Sequence, residues 1–397
     1  TVMLKLNGGL GTGMGLAMAK SLLVVKGQDT FLDLIAKQVQ ATKSTFGQDL
    51  AFMLMNSFST SKDTLEHLSK YAFLPKAADL EFVQNKAPKV NAADLTPASY
   101  PEDRSHEWCP PGHGDLYPAM LGSGTLAALR AKGLRYMFVS NSDNLGATMD
   151  LKLLTHFARS GAPFMMEVAE RTEADKKGGH LARDAKTGGL LLRESAQCPE
   201  ADEKAFQDTK KYKFFNTNNL WVDLAALRAE LDTRGGFLPL PLIRNPKTLD
   251  PRDKGSAKVL QLETAMGAAI ECFGDRAAAL VVPRARFSPV KSCADLLALR
   301  SDCYELRPDG SLSLAPPRTT PPVVSLDDCY KKVDDFERLV AQGAPSLKGC
   351  AKLKVAGRVV FGRGISFKGA VEVRNDDAGA EKELPGGKTY EDTTVAL

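Results

Sequence analysis

Short runs that are apolar almost throughout alternate with segments of helical period over roughly the first three-quarters of the chain, and this restricts the fold more than any other feature. Val2 to Leu6, 50–56, 80–85 and 136–141 are such runs. Between them, Thr30 to Phe46 carries Phe31, Leu34, Ile35 and Val39 at helical spacing behind an expected cap at Asp29, and 61–72 and 123–133 read as further helices. A strand with one wet face alternates apolar and polar residues, whereas one covered on both faces need not. The pattern therefore predicts an α/β fold with a mainly parallel, Rossmann-like central sheet. Further strands are expected at 164–171, 190–197, 213–222 and 277–283, and helices at 262–273 and 294–306. Two irregular stretches, 86–121 and 172–190, are placed as the function-bearing loops of such a sheet.

The composition changes after this region. Residues 306–326, with "PPRTTPPVV", read as a linker between a domain over 1–305 and a C-terminal part over 327–397. That part opens on a helix, Asp327 to Gln342, and continues in short alternating strands broken at Gly357, Gly362, Gly364 and Gly369. Such spacing fits the coils of a small β-helix-like domain, or a meander.

The bulk numbers exclude several function classes. The net charge is +4, from 52 basic and 48 acidic side chains with no block of like charge, so neither nucleic acid nor an anionic membrane is implied as a partner. Seven cysteines are scattered without a C-x-x-C pair, which predicts free thiols in a reducing compartment. No window is apolar enough to span a bilayer, and no signal peptide is seen. The opening residues already read as a strand, so a segment preceding them is expected outside this sequence.

Directly after the first strand comes "NGGLGTGMGLAMAK", with five glycines between Gly8 and Gly15 and then Lys20. Glycine lets the main chain approach a ligand closely and turn several N–H groups on one anion, and a following lysine adds a point charge. Phosphate is the expected guest. Neither common signature fits: the sixth position of G-x-G-x-x-G falls on Met14, Leu16 or Met18, and Ala19 stands where a Walker A loop needs glycine.

This loop, with "AKSLLVV" and "TFLDL", resembles the opening motif of the eukaryotic UDP-glucose pyrophosphorylases (UTP–glucose-1-phosphate uridylyltransferases), most of all the trypanosomatid type. "FVQNKAPK", "EWCPPGHGDLY", "FVSNSDNLGATMD", "RTEADKKGGHLA", "LLRESAQCP", "FFNTNNLW", "QLETAMGAAI" and "FSPVKSCADLLALRSD" resemble further blocks of that family, in its order.

The resemblance implies a reversible, Mg²⁺-dependent transfer in which the phosphate of glucose 1-phosphate attacks the α-phosphorus of UTP and pyrophosphate leaves. Such chemistry asks a protein for alignment and for neutralised charge. The catalytic residues implied are Lys20 on the triphosphate, Lys291 on the phosphates being joined, and Asp143 as metal ligand. For the nucleotide they are Leu6, Gly8, Gly9, Gly11, Thr12, Gln84, Gly112, His113, Asn141 and Ser142, with Gln84 suited to the donor–acceptor edge of uracil. His113 is assigned to binding rather than proton transfer, because the attacking phosphate is already ionised. Gly179, Glu194, Asn216 and Asn218 are implied for the sugar, with the two asparagines expected on one face of a strand by its period of two. Lys177 and His180 would frame the same loop.

Met18 and Ala19 replace the Gly-Pro that many relatives carry before the lysine, as in the trypanosomatid type. Two alternatives share the phosphate machinery: a pyrophosphorylase for galactose 1-phosphate or an N-acetylhexosamine 1-phosphate, and a non-catalytic nucleotide-sugar-binding scaffold. A cytoplasmic or glycosomal location is expected, and monomer and homo-oligomer both stay open.

Overall fold

The computed structural model describes residues 1–397 except 48, 49, 173, 174, 177, 252, 254 and 378. The chain forms two compact units, one of residues 1–9, 42–142 and 147–287, the other of residues 10–41, 143–146 and 288–397.

The first unit is built on a nine-stranded sheet. In chain order its strands are β1 (Val2–Asn7), β2 (Ala51–Asn56), β3 (Glu81–Val83), β4 (Tyr136–Asn141), β5 (Phe164–Glu170), β6 (His180–Arg183), β7 (Leu190–Arg193), β8 (Phe214–Asp223) and β9 (Ala278–Val281). β4, β1, β2 and β3 lie side by side and parallel, with Val2 opposite Ala51 and Met137. β8 runs antiparallel to β4, β5 and β6, and β7 antiparallel to β6, while β9 is parallel to β5. The sheet is thus mixed, and only β7 and β8 run against the rest.

Burial explains the apolar runs. Val2, Leu4 and Leu6 face a core that also takes Met53, Met55, Met137, Val139, Phe164, Met166, Leu220 and Val222, with Leu116, Tyr117 and Leu227 packed on it from helices. The alternate residues Met3, Phe52, Leu54, Phe138, Met165 and Trp221 are also buried. Both faces of these strands are covered, so neither selects polar residues.

The second unit contains α1 (Phe31–Phe46) up to residue 41, and its C-terminal strands are β10 (Val323–Leu326), β11 (Ser346–Ala356), β12 (Val359–Phe361), β13 (Ser366–Arg374), β14 (Lys382–Leu384), β15 (Thr389–Glu391) and β16 (Thr394–Ala396). Every pairing among them is parallel: β10 with β11, β11 with β13, β13 with β15 and β16, and β12 with β14. A meander joins antiparallel neighbours and does not give this pattern. Leu347, Leu353, Phe361, Phe367, Val371 and Leu384 are buried along these strands.

Local corrections follow from side-chain bonding. The cap of α1 is Thr30 rather than Asp29: the Asp33 amide donates to Thr30 Oγ1 at 3.2 Å, and the Thr30 amide to Asp33 Oδ2 at 2.9 Å. Asp29 instead pairs with Lys37 at 2.6 Å. The helix expected over 262–273 starts only at Met266, because Lys258–Thr264 is a strand antiparallel to Leu242–Thr248. The one expected over 294–306 spans Cys293–Arg300, and Tyr304–Leu306 turns back to pair with Leu312–Leu314 inside the stretch read as a linker. The strand expected over 190–197 ends at Arg193. All seven cysteines are free thiols. Among the described residues no helix is long and apolar enough to cross a membrane.

Candidate active site

The chain runs from β1 to β2 to β3 on one side of β1 and then returns to place β4 on the other. The order reverses between β1 and β4, and parallel α/β sheets gather ligands beyond the carboxyl ends of strands at such a reversal. Gly8 and Gly9 leave β1 there, Gln84 follows β3, and Ser142 follows β4. Ser142 donates to the Leu6 carbonyl through both its amide, at 3.1 Å, and its hydroxyl, at 2.8 Å. The strand ends are tied by amides: Asn7 Nδ2 donates to Asn56 Oδ1 at 2.7 Å and to Thr64 Oγ1 at 2.9 Å, and Asn56 Nδ2 to Glu81 Oε2 at 2.5 Å.

Gln84 continues the sheet ladder, its amide donating to the Asn56 carbonyl at 2.8 Å, and its side chain is buried. It presses on the first glycine of the loop. A Cβ at position 8 would overlap Gln84 Nε2 and lie 3.1 Å from its Cδ, so any other residue there would displace the amide. The second contributor is the turn His113–Asp115. Gly112 enters it at φ 82°, and a Cβ there would lie 2.5 Å from the Thr264 carbonyl oxygen. His113 Nδ1 accepts from the Met266 amide at 2.9 Å, which places the proton of the neutral ring on Nε2. Burial pushes the His113 pKa down to about 4, so the ring is neutral and a donor at physiological pH. Burial also raises Asp115, whose carboxylate accepts from the Asn85 amide at 2.6 Å and from Asn85 Nδ2 at 2.9 Å.

The residues expected at the sugar lie in the same unit. A Cβ at Gly179 would come within 2.5 Å of Glu194 Oε2, so the two loops touch. Asn216 Nδ2 donates to Asn218 Oδ1 at 2.8 Å, and the Asn218 amide to Asn216 Oδ1 at 2.9 Å. They do not meet through strand periodicity. β8 is bulged here, Asn219 facing Glu167 and Asn216 facing Val168, with Asn218 in the left-handed region at φ 59°. Asparagine tolerates that conformation, and bulges re-aim side chains beside sites. His180 is buried, stacked on Tyr212 at 4.1 Å and near Phe206, and burial lowers its pKa to about 4. Lys177 lies outside the described residues.

In the second unit, Lys20 Nζ is paired with Asp143 Oδ2 at 2.7 Å. Asp143 Oδ1 is buried and has no hydrogen-bond partner among the described residues. Gly11, at φ 69°, and Thr12 begin a single turn in which the Met14 amide donates to the Gly11 carbonyl at 2.8 Å. The Val290 amide donates to the Asp143 carbonyl at 3.3 Å and Ser288 N to Asn144 Oδ1 at 2.9 Å, so the strand of chain carrying Lys291 starts alongside Asp143. Lys291 is exposed, with its amide donating to Asp295 Oδ2 at 2.8 Å as α2 (Cys293–Arg300) begins.

A model of the UTP–glucose-1-phosphate uridylyltransferase family matches residues 1–368, and so covers every candidate site residue. The chain belongs to the UTP–glucose-1-phosphate uridylyltransferase family. Uridylyltransferases of Solanum tuberosum and Saccharomyces cerevisiae are 43% and 41% identical over 97% and 99% of this chain, and over 79% and 77% of their own lengths. Among solved structures, a Trypanosoma brucei UDP-glucose phosphorylase matches with 49% identity and a TM-score of 0.94, over all of this chain and 85% of that one. A Leishmania major UDP-glucose pyrophosphorylase variant, in complex with UDP-glucose, matches with 51% identity and a TM-score of 0.93, over the same shares. The sequence motifs do not single out Asp115 or Asn85. They are 30 positions apart, and no local spacing announces such a pair.

Proposed function

We propose that the chain transfers the uridylyl group of UTP to glucose 1-phosphate, reversibly, by in-line attack of the sugar phosphate on the α-phosphorus. The observation that carries this is the family match over residues 1–368. The geometry supports roles for particular residues. Gln84, with main-chain groups of Leu6, Gly8 and Gly9, reads uracil, and Gly112 lets its turn approach. His113 donates from Nε2, and Gly11, Thr12, Asn141 and Ser142 complete the nucleotide contacts. Lys20 neutralises the triphosphate and Lys291 the phosphates being joined. Gly179, Glu194, Asn216 and Asn218 hold the sugar hydroxyls. The nucleophile is an ionised phosphate, so no side chain has to remove a proton.

Mg²⁺ is the cofactor in this reading, and Asp143 would hold it. The buried, unpartnered Asp143 Oδ1 suits a hard cation. Bound there, Mg²⁺ would supply neutralising charge to the phosphate oxygens. We further propose a Rossmann-like catalytic domain over 1–305, a linker over 306–326, and a β-helix-like C-terminal part over 327–397 that serves as lid, brace or assembly surface, in a protein acting in the cytoplasm or a glycosome.

Pyrophosphate release with UTP, Mg²⁺ and a panel of sugar 1-phosphates tests the reading. Glucose 1-phosphate is expected to lead. Preference for an N-acetylated sugar would overturn the substrate, and tight UDP-glucose binding without turnover would overturn the enzyme.

A further inference from the structure

We propose that Asp115 is a positioning residue for base recognition: its carboxylate holds Asn85, and through Asn85 the neighbouring Gln84 amide, where the pyrimidine is read. This rests on the uracil-reading role of Gln84.

Asp115 immediately precedes the helix Leu116–Gly122, and an aspartate there ordinarily caps the helix through its own side chain. It does not: no side-chain cap bond is made to that helix. Both carboxylate oxygens are turned to Asn85, Oδ2 to its amide at 2.6 Å and Oδ1 to its Nδ2 at 2.9 Å, and Asp115 is buried. A two-pronged, charge-assisted contact of this kind fixes orientation as well as distance.

What Asp115 stands on is itself anchored. The Thr264 amide donates to the Pro111 carbonyl at 2.9 Å, the Met266 amide to His113 Nδ1 at 2.9 Å, and Tyr117 Oη to the Met266 carbonyl at 2.7 Å. The held segment is short. The Gln84 amide is bonded to Asn56, the Asn85 amide and side chain to Asp115, and Ala87–Pro88 pairs antiparallel with Trp108–Cys109. Gln84 therefore sits between two fixed neighbours at the point where the chain leaves the sheet. Without the Asp115 clamp, Asn85 is an exposed residue with its amide unheld, and Gln84 loses one of the two supports that set its angle toward Gly8.

The test compares Asp115→Ala, Asp115→Asn, Asn85→Ala and Gln84→Ala, with kcat and KM for UTP and CTP, KM for glucose 1-phosphate, and thermal melting of each. Asp115→Ala is expected to raise KM for UTP about tenfold or more, to change kcat less than about threefold, to narrow the preference for UTP over CTP, and to leave KM for glucose 1-phosphate near wild type. Asp115→Asn keeps one acceptor and should fall between. Asn85→Ala alters an exposed side chain, its fold is checked by the same melting, and it should reproduce part of the UTP effect. An unchanged UTP preference in folded Asp115→Asn and Asn85→Ala, with Gln84→Ala impaired, overturns the positioning role alone. Unchanged preference in Gln84→Ala overturns both it and the reading beneath it. A loss shared equally by both nucleotides and glucose 1-phosphate, tracking lowered melting, also overturns it, since that is what a purely structural aspartate gives.

Discussion

Substituting Gly8 by alanine separates recognition from folding. The new methyl group would overlap Gln84 Nε2 and sit 3.1 Å from Cδ and 3.6 Å from Oε1. Comfortable carbon contacts are about 3.5–4.0 Å, so the amide must retreat by on the order of 1 Å. A hydrogen bond formed at about 2.9 Å would stretch beyond the range where it counts. Leaving a polar group of the base unpaired in the bound state costs about 1–3 kcal/mol, or roughly a 5- to 150-fold fall in kcat/KM for UTP. The fold should barely notice. Gly8 has no positive φ, and the clashing atom ends a flexible side chain that can swing away. Removing a glycine also trims the unfolded chain's freedom, worth about 0.4–1 kcal/mol in the other direction. Steady-state kinetics and urea unfolding read the two effects separately. The decisive measurement is the double variant, because Gly8→Ala should add nothing once Gln84→Ala has removed the amide. Wild-type kcat/KM in Gly8→Ala, or full additivity in the double variant, would refute the contact as the means of reading the base.

Gly112→Ala should do the reverse and destabilise the protein by more than about 2 kcal/mol in urea, since φ is 82° and the obstacle, 2.5 Å away, is a main-chain oxygen. Lys291→Ala and Asp143→Ala should each lower turnover by about 100-fold or more, with calorimetric UTP binding largely kept in Lys291→Ala; near-normal rates in either would remove it from the site. Stability should fall as pH drops from about 6.5 toward about 4. His180 is buried with its pKa lowered to about 4, so the unfolded chain binds a proton there first. The stabilisation is present above the unfolded pKa and is lost on acidification through that window, by roughly 3.4 kcal/mol at most. His113, also lowered to about 4, titrates in the same window, so His180→Gln should remove only its own share of the slope between pH 4 and 6.5, and an unchanged slope would assign all of it elsewhere.

What the sequence revealed followed from local physics. The strands β1, β2 and β4 were legible because two-sided burial strips them of polar residues, and the glycine loop because it directly follows one of them. The family motifs led to Lys20 and Asp143, which the structure brings to 2.7 Å. Long-range pairing was not legible. Leu262 sits four residues before Met266, at helical spacing, yet the partner strand Leu242–Thr248 holds the stretch up to 264 extended. The asparagine pair was found for an insufficient reason, since a bulge and a left-handed residue, invisible to a period of two, aim Asn218 at Asn216. Asp115 and Asn85 carry no local signal of their pairing, and only the fold brings the carboxylate onto Asn85.

The ion pair of Lys20 with Asp143 bears on how readily a ligand leaves. A guest that draws Lys20 or Asp143 Oδ2 away from its partner gives up that contact, so its net affinity is lower than its own contacts alone would give. On departure the pair closes again, and that closure helps expel the guest. A catalyst working near equilibrium in both directions benefits from such a self-quenching resting state, because neither substrate nor product is held so tightly that turnover stalls.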